Sequence, residues 1–179
     1  MTDPASEHQE QAELAVKQVA CAVLTVSDTR DAGTDVSGPK AARLLEVAGH
    51  VIVDRGRCRD EPDAIGRSLD DWCGRAAVQA VIMTGGTGIG TRDRTVEVVR
   101  DRLTIELEGF GEIFRWLSYE AIGPNAMMSR AVAGIVVAPP ESGGETVVFA
   151  IPGSPKAVEL AITRLIGPQL SHIVWVRVT

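Results

Sequence analysis

The chain has 179 residues, a formal charge of −6, 45% hydrophobic and 23% charged residues, three cysteines and three histidines. That length makes one ordinary domain, able to bury roughly 70% of its unfolded surface without a metal or disulfide staple. The acidic balance argues against a non-specific nucleic-acid binder, no run of about 18 apolar residues is present to span a membrane, and the acidic amino-terminal segment is not expected to act as a secretory leader.

Residues 1–18 carry Asp3, Glu7, Glu10 and Glu13 against Lys17 and read as a disordered acidic tail, leaving a single domain over 19–179. Ala20–Val26 is a continuous apolar run, as a strand buried on both faces requires. After a polar loop a helix is predicted over 39–48, capped by Ser37 and stopped by Gly49. A short strand over 51–54 leads to a helix over 61–75 with Ile65, Leu69, Trp72 and Ala76 on one stripe. A strand over 78–83 ends in the glycine-rich TGGTGIGTRDR. Helices follow over 96–102 and 109–122, then strands over 132–138 and 146–151, and a last long helix that includes 158–166. In the 109–122 helix, Phe110, Ile113, Phe114, Leu117 and Ala121 form a core stripe. Trp116, Tyr119 and Ile122 fall off it, which fits either a deeply tucked helix or a subunit contact. Alternating strands and helices imply an α/β fold, a mostly parallel sheet with helices on both faces.

Ligands of open α/β sheets bind beyond the carboxyl ends of the strands. Three apolar strands end in polar or glycine-rich loops: Ser27-Asp28, the run Thr84 to Gly88, and Pro152-Gly153-Ser154-Pro155-Lys156. If those strands are parallel, the loops share one rim. Gly85, Gly86, Gly88 and Gly90 leave backbone N–H groups free to approach an anion, and the next helix adds the positive end of its dipole. The loop is neither a Walker A motif nor a GxGxxG fingerprint, because Thr91-Arg92 replace the residues those need. Asp93 reads equally as a cap or surface ion pair and as a Mg²⁺ partner beside bound phosphates, since Thr95 would serve as the helix cap. Asp60, before Pro62, reads more simply as a helix cap. The loop from Ser27-Asp28 to Ser37 is turn chemistry by composition, yet longer than a usual βα connection. Lys156 in a first helical turn opposes the dipole and mildly favours a nearby anion. Cys21, Cys58 and Cys73 lack CxxC spacing and His8, His50 and His172 stand singly, which disfavours a zinc or haem site and fits a reduced, cytoplasmic protein.

The segments TVSDTRDAGTDVSGP, DEPDAI, TGGTGIGTRDRT, GFGEIFRWLSYEAIG, SRAVAG and IPGSPKAV, in this order from about Cys21 to Leu170, resemble the MoaB/MogA family of molybdenum cofactor biosynthesis. The GFGEIFRWLSYEAIG stretch is more like the MoaB branch, whose members differ in catalytic status. The resemblance implies a three-layer α/β/α sandwich, a homotrimer or homohexamer, and transfer of AMP from Mg-ATP to molybdopterin. Residue by residue, it makes Asp60 and Asp93 the two functional acids, placed to hold Mg²⁺. It gives Gly85, Gly86, Thr87 and Gly88 to the molybdopterin or nucleotide phosphate. Ser27, Asp28, Ser37, Ser129 and Pro152, Gly153, Ser154, Pro155 and Lys156 match binding loops. One departure is Thr95-Val96 where the family usually has Thr-Pro, a change expected to loosen the helix start by about 0.4–1 kcal/mol.

In the implied reaction the terminal phosphate of molybdopterin attacks the α-phosphorus of ATP and pyrophosphate leaves. Backbone donors, Mg²⁺ and two carboxylates suffice for such chemistry. The alternatives are a MoaB-type protein that binds molybdopterin or a precursor without adenylylating it, and a competence-damage-type nucleotide hydrolase sharing the GGTG loop. A downstream metal-insertion protein would receive the product.

Overall fold

The computed structural model describes residues 16–138 and 144–178, so the expected tail lies largely outside the described residues. Six strands build the sheet: β1 (Ala20–Val26), β2 (Val51–Cys58), β3 (Ala80–Thr84), β4 (Ile105–Glu106), β5 (Val132–Val137) and β6 (Glu145–Ile151). The helices are α1 (Ser37–Val47), α2 (Pro62–Cys73), α3 (Thr95–Arg100), α4 (Glu108–Ile122), α5 (Pro155–Ala161) and α6 (Gly167–Val178).

The strand order is β2-β1-β3-β6-β5-β4. Pairs β1–β2, β1–β3 and β3–β6 are parallel, whereas β5 runs antiparallel to both β6 and β4. Period-two alternation sends each central strand's side chains to two cores. Cys21, Val23, Ala80, Ile82, Val147, Phe149 and Ile151 meet α1, α4, α5 and α6. Ala22, Leu24, Val26, Val81, Met83, Val148 and Ala150 meet α2 and α3. The result is the expected three-layer α/β/α sandwich. Each fully buried Leu, Ile, Val or Phe side chain contributes roughly 1.5–3 kcal/mol, so doubly covered strands anchor the rim loops firmly.

Several expected boundaries shift. β2 runs on to Cys58 as an edge strand, held through the β1 ladder despite its arginines and Gly56. β4 is only two residues long, below what periodicity detects. Ile113 and Ala121 are exposed rather than core, and the buried face of α4 is Gly111, Phe114, Leu117 and Ser118. Ala76 also lies exposed, beyond α2. The last helix is three pieces: α5, a π-turn over Ile162–Ile166, and α6. Pro168 lacks an N–H, and the wide turn before it accommodates that loss in an otherwise continuous helical run.

Candidate functional site

Because β1, β3 and β6 are parallel, the loops that follow them converge at one rim. They enclose a cleft of about 560 Å³ lined by Ser27, Asp28, Asp60, Gly85 to Gly88, Asp93, Ser129, Pro152 and Gly153. Its volume lies within the range of small-molecule sites. Ser129 arrives by a different route. It precedes β5, and an antiparallel strand begins where its parallel neighbours end.

The floor is the glycine loop. Gly85 (φ +103°) and Gly86 (φ +62°) occupy backbone space that side-chain-bearing residues rarely enter. A methyl group on Gly85 would collide with the Val26 carbonyl. One on Gly86 would collide with Thr95 Oγ1 and lie 2.6 Å from Asp60 Oδ1. Thr95 N–H donates to the Gly86 carbonyl at 2.9 Å, tying the loop to the start of α3. Thr87 is buried, with its carbonyl engaged by Arg130.

Asp60 and Asp93 both press on this loop. Asp60 does not cap α2: the cap position belongs to Glu61, with no side-chain bond. The Asp60 Oδ1 atom is instead buried with no hydrogen-bond partner. Burial, reinforced by repulsion from Asp93, raises the Asp60 pKa above the ordinary carboxylate value, while the Arg94 backbone N–H opposes the rise. Asp93 Oδ2 accepts the Gly90 N–H at 2.8 Å, and a methyl on Gly88 would lie 2.7 Å from the same oxygen. Thr95 is not the expected cap either. It is the first residue of α3, and its hydroxyl is buried without a partner. Where Thr-Pro was expected, Val96 is buried in the α2–α3 core and secures the helix start by packing.

The remaining expected residues divide. Ser27 Oγ accepts the N–H groups of Thr29 (3.3 Å) and Arg30 (3.2 Å), shaping its own turn. Asp28 accepts the Asp60 N–H at 3.1 Å and pairs with Arg92, so it braces neighbouring loops. Ser37 lies off the cleft: it is fully buried, and its hydroxyl donates to the Gly153 carbonyl at 2.7 Å. Nor does it cap α1, whose first N–H groups, on Ser37 and Gly38, donate to Asp35 at 3.1 and 3.0 Å. The cleft wall stops at Gly153. Ser154 caps α5 by accepting the Ala157 N–H at 3.2 Å, Pro155 opens that helix, and Lys156 is exposed outside the lining.

Three arginines of the lining were not among the expected site residues: Arg30, Arg92 and Arg130. Arg30 Nη1 donates to the Gly153 carbonyl at 2.9 Å and to Ser37 Oγ at 3.2 Å, joining the first and last rim loops. Unlike Arg92 and Arg130, it has no carboxylate partner among the described residues. Each lies inside a quoted motif, but nothing in its spacing marks it. Among the described residues no three His, Cys, Asp and Glu side chains are grouped to hold a metal. Cys58, near the rim, has its thiol pushed up to about 11 by burial and is a poor nucleophile.

The family model described as "probable molybdopterin binding domain" matches residues 22–172. The chain belongs to that family. "Molybdenum cofactor biosynthesis protein B" of Bacillus subtilis is 47% identical over 167 residues, covering 93% of this chain and 94% of that protein. A crystal structure of a protein of the same name superposes with a TM-score of 0.83 at 41% identity, covering 89% of this chain and 96% of that one. The tungsten cofactor synthesizing protein MoaB of Pyrococcus furiosus gives a TM-score of 0.75 at 31% identity over 90% of this chain and 98% of its own. The nearer likeness to the family's B branch agrees with the GFGEIFRWLSYEAIG motif. Family membership gives the chain a role in molybdenum cofactor biosynthesis.

Proposed function

We propose that this protein binds molybdopterin at the rim cleft and transfers AMP to it from Mg-ATP, releasing pyrophosphate. One observation carries the reading: two carboxylates from different segments, Asp60 and Asp93, press on a single glycine-rich loop beside a cleft that offers no activated nucleophile. Phosphoryl and nucleotidyl transfers need little else from a protein than positioning and charge neutralisation.

Two carboxylates alone make no cage for a metal, but Mg²⁺ is commonly held by one or two carboxylates together with substrate phosphates. The partnerless Asp60 Oδ1 fits that requirement, since a buried oxygen without a donor suits a cation. Asp60 and Asp93 would hold the ion, which would neutralise charge on the reacting phosphates. The backbone from Gly85 to Gly88 would cradle a phosphate. Arg30, which has no carboxylate partner among the described residues, would supply fixed positive charge. Asp28 and Arg92 would keep the Asp60 segment against the glycine loop.

The Asp93–Gly90 hydrogen bond favours a second reading, in which Asp93 only shapes the loop and the protein binds molybdopterin or a precursor without turnover. Incubation with molybdopterin and Mg-ATP separates the two. Pyrophosphate and adenylylated molybdopterin are expected; binding without product would leave the second reading standing. A homotrimer or homohexamer is part of the proposal. Trp116, Tyr119 and Ile122 on α4 are 61%, 58% and 51% exposed, an apolar face that subunit contact would cover. The product would pass to a metal-insertion protein.

A further inference from the structure

Arg130 stands just before β5, far in sequence from the glycine loop, yet spends its guanidinium on it. Its Nε donates to the Thr87 carbonyl at 3.0 Å, and Nη2 donates to the Asp93 carbonyl at 2.9 Å. Glu97, in the first turn of α3, pairs with Nη1 and accepts from Nη2 at 3.3 Å. One planar group thus grips the loop at both ends, at Thr87 where it leaves β3 and at Asp93 where it enters α3.

Between those points lie Gly88 and Gly90, the residues whose backbones lose most freedom on ordering. Inside the loop the same two residues are joined twice, Gly90 N–H donating to Asp93 Oδ2 at 2.8 Å and Asp93 N–H to the Gly90 carbonyl at 3.1 Å. Glu97 neutralises Arg130, and the pairing holds the Glu97 carboxyl below the usual range. Arg130 therefore faces the cleft as a filled donor set rather than as spare charge. Arg30, in the loop after β1, is instead the lining arginine without a carboxylate partner among the described residues.

We infer that Arg130 is a positioning residue: it fixes the loop from Thr87 to Asp93 and so aims the Asp93 carboxylate, without itself contacting phosphate. Its planar fork reaches two carbonyls and a carboxylate at once, which a lysine ammonium cannot do at the same points. The inference rests on the proposed adenylyl transfer for its catalytic consequence, but not for its structural one.

Two measurements on the full chain test it, using Arg130→Lys and Glu97→Gln. Amide hydrogen exchange of the ligand-free protein is expected to speed up about tenfold or more across residues 88–93 in Arg130→Lys. Glu97→Gln, which keeps both carbonyl clips, should stay within about threefold of the parent there. If Arg130→Lys exchanges like the parent in that segment, the inference is wrong, whatever the enzyme does. In the pyrophosphate assay, Arg130→Lys is expected to lose about 10- to 100-fold in kcat with the KM for ATP changing less than about threefold, the pattern of a misaimed group. A rise in KM at unchanged kcat would instead make Arg130 a phosphate ligand and overturn the inference. Should the parent release no pyrophosphate, the proposed function fails while the exchange result still decides the role of Arg130.

Discussion

Asp60 and Asp93 press on the same loop, but their surroundings give them different tests. Asp93→Asn keeps the shape and the acceptor for Gly90 N–H, so stability should move by less than about 0.5 kcal/mol while turnover falls steeply. Full turnover in that variant would remove Asp93 from the mechanism. Asp60 carries a buried, partnerless oxygen and a raised pKa, so its charge is costly in the folded state at neutral pH. Asp60→Asn should therefore match or exceed the parent in chemical denaturation while losing activity, a trade-off typical of functional acids. A loss of about 1 kcal/mol in Asp60→Ala, with full activity kept in Asp60→Asn, would restore the capping role that the cap position at Glu61 now contradicts. Gly86→Ala meets both a positive φ and two facing oxygens. Strain of this kind costs about 1–3 kcal/mol, and the variant should lose that much stability together with ligand binding, measured on the same preparation.

Among the elements, the first and last rim loops hold each other through Arg30 and Ser37 on the Gly153 carbonyl. Arg30→Met keeps much of the apolar stem but removes the donor and a charge that has no carboxylate partner among the described residues. It should raise the KM for ATP or molybdopterin at least about tenfold, with a smaller change in kcat. An unchanged KM in steady-state kinetics would confine Arg30 to loop structure. Ser37 should behave differently: it does not line the cleft itself, and Ser37→Ala removes a buried hydroxyl that bonds Gly153 and Arg30 from behind, so its main effect belongs in stability, at about 1 kcal/mol.

At the scale of the whole molecule, two properties depend on faces far from the cleft. Trp116→Glu places charge on the exposed apolar side of α4 and should turn an oligomer into 19.0-kDa monomers in sedimentation. A parent that already sediments as a monomer would end the oligomer proposal. His50 is buried beside the Gly167 carbonyl, where Nε2 lies at 3.3 Å, and its Nδ1 has no partner. Burial lowers its pKa from the ordinary 6.5, so the folded state keeps the ring neutral while the unfolded chain protonates it. The stability is present in full above that pH and is lost as pH falls through it. His50→Gln should flatten the decline between about pH 7 and pH 5 in denaturation curves; an unchanged slope would assign the acid sensitivity elsewhere.

Residue order alone determined β1, β3 and β6, because they must be apolar on both faces to lie between two helical layers, and such runs are visible locally. It likewise marked the three rim loops, the glycine run and Asp93, whose chemistry lies in residue type, whereas Asp60 read as a cap and gained a functional role only from the family resemblance. Tertiary structure decided what depends on distant backbone. Arg130 gains its role from carbonyls 43 and 37 residues away, and Arg30 from one 123 residues away, distances that no local pattern encodes. The antiparallel course of β5, which brings Ser129 and Arg130 to the rim, is equally silent in composition, since parallel and antiparallel strands buried on both faces read alike. Ser37 and Ile113 were misplaced for the same reason. A hydroxyl near a helix start looks like a cap until another loop claims it, and an apolar stripe looks like core until the sheet shows which side it covers.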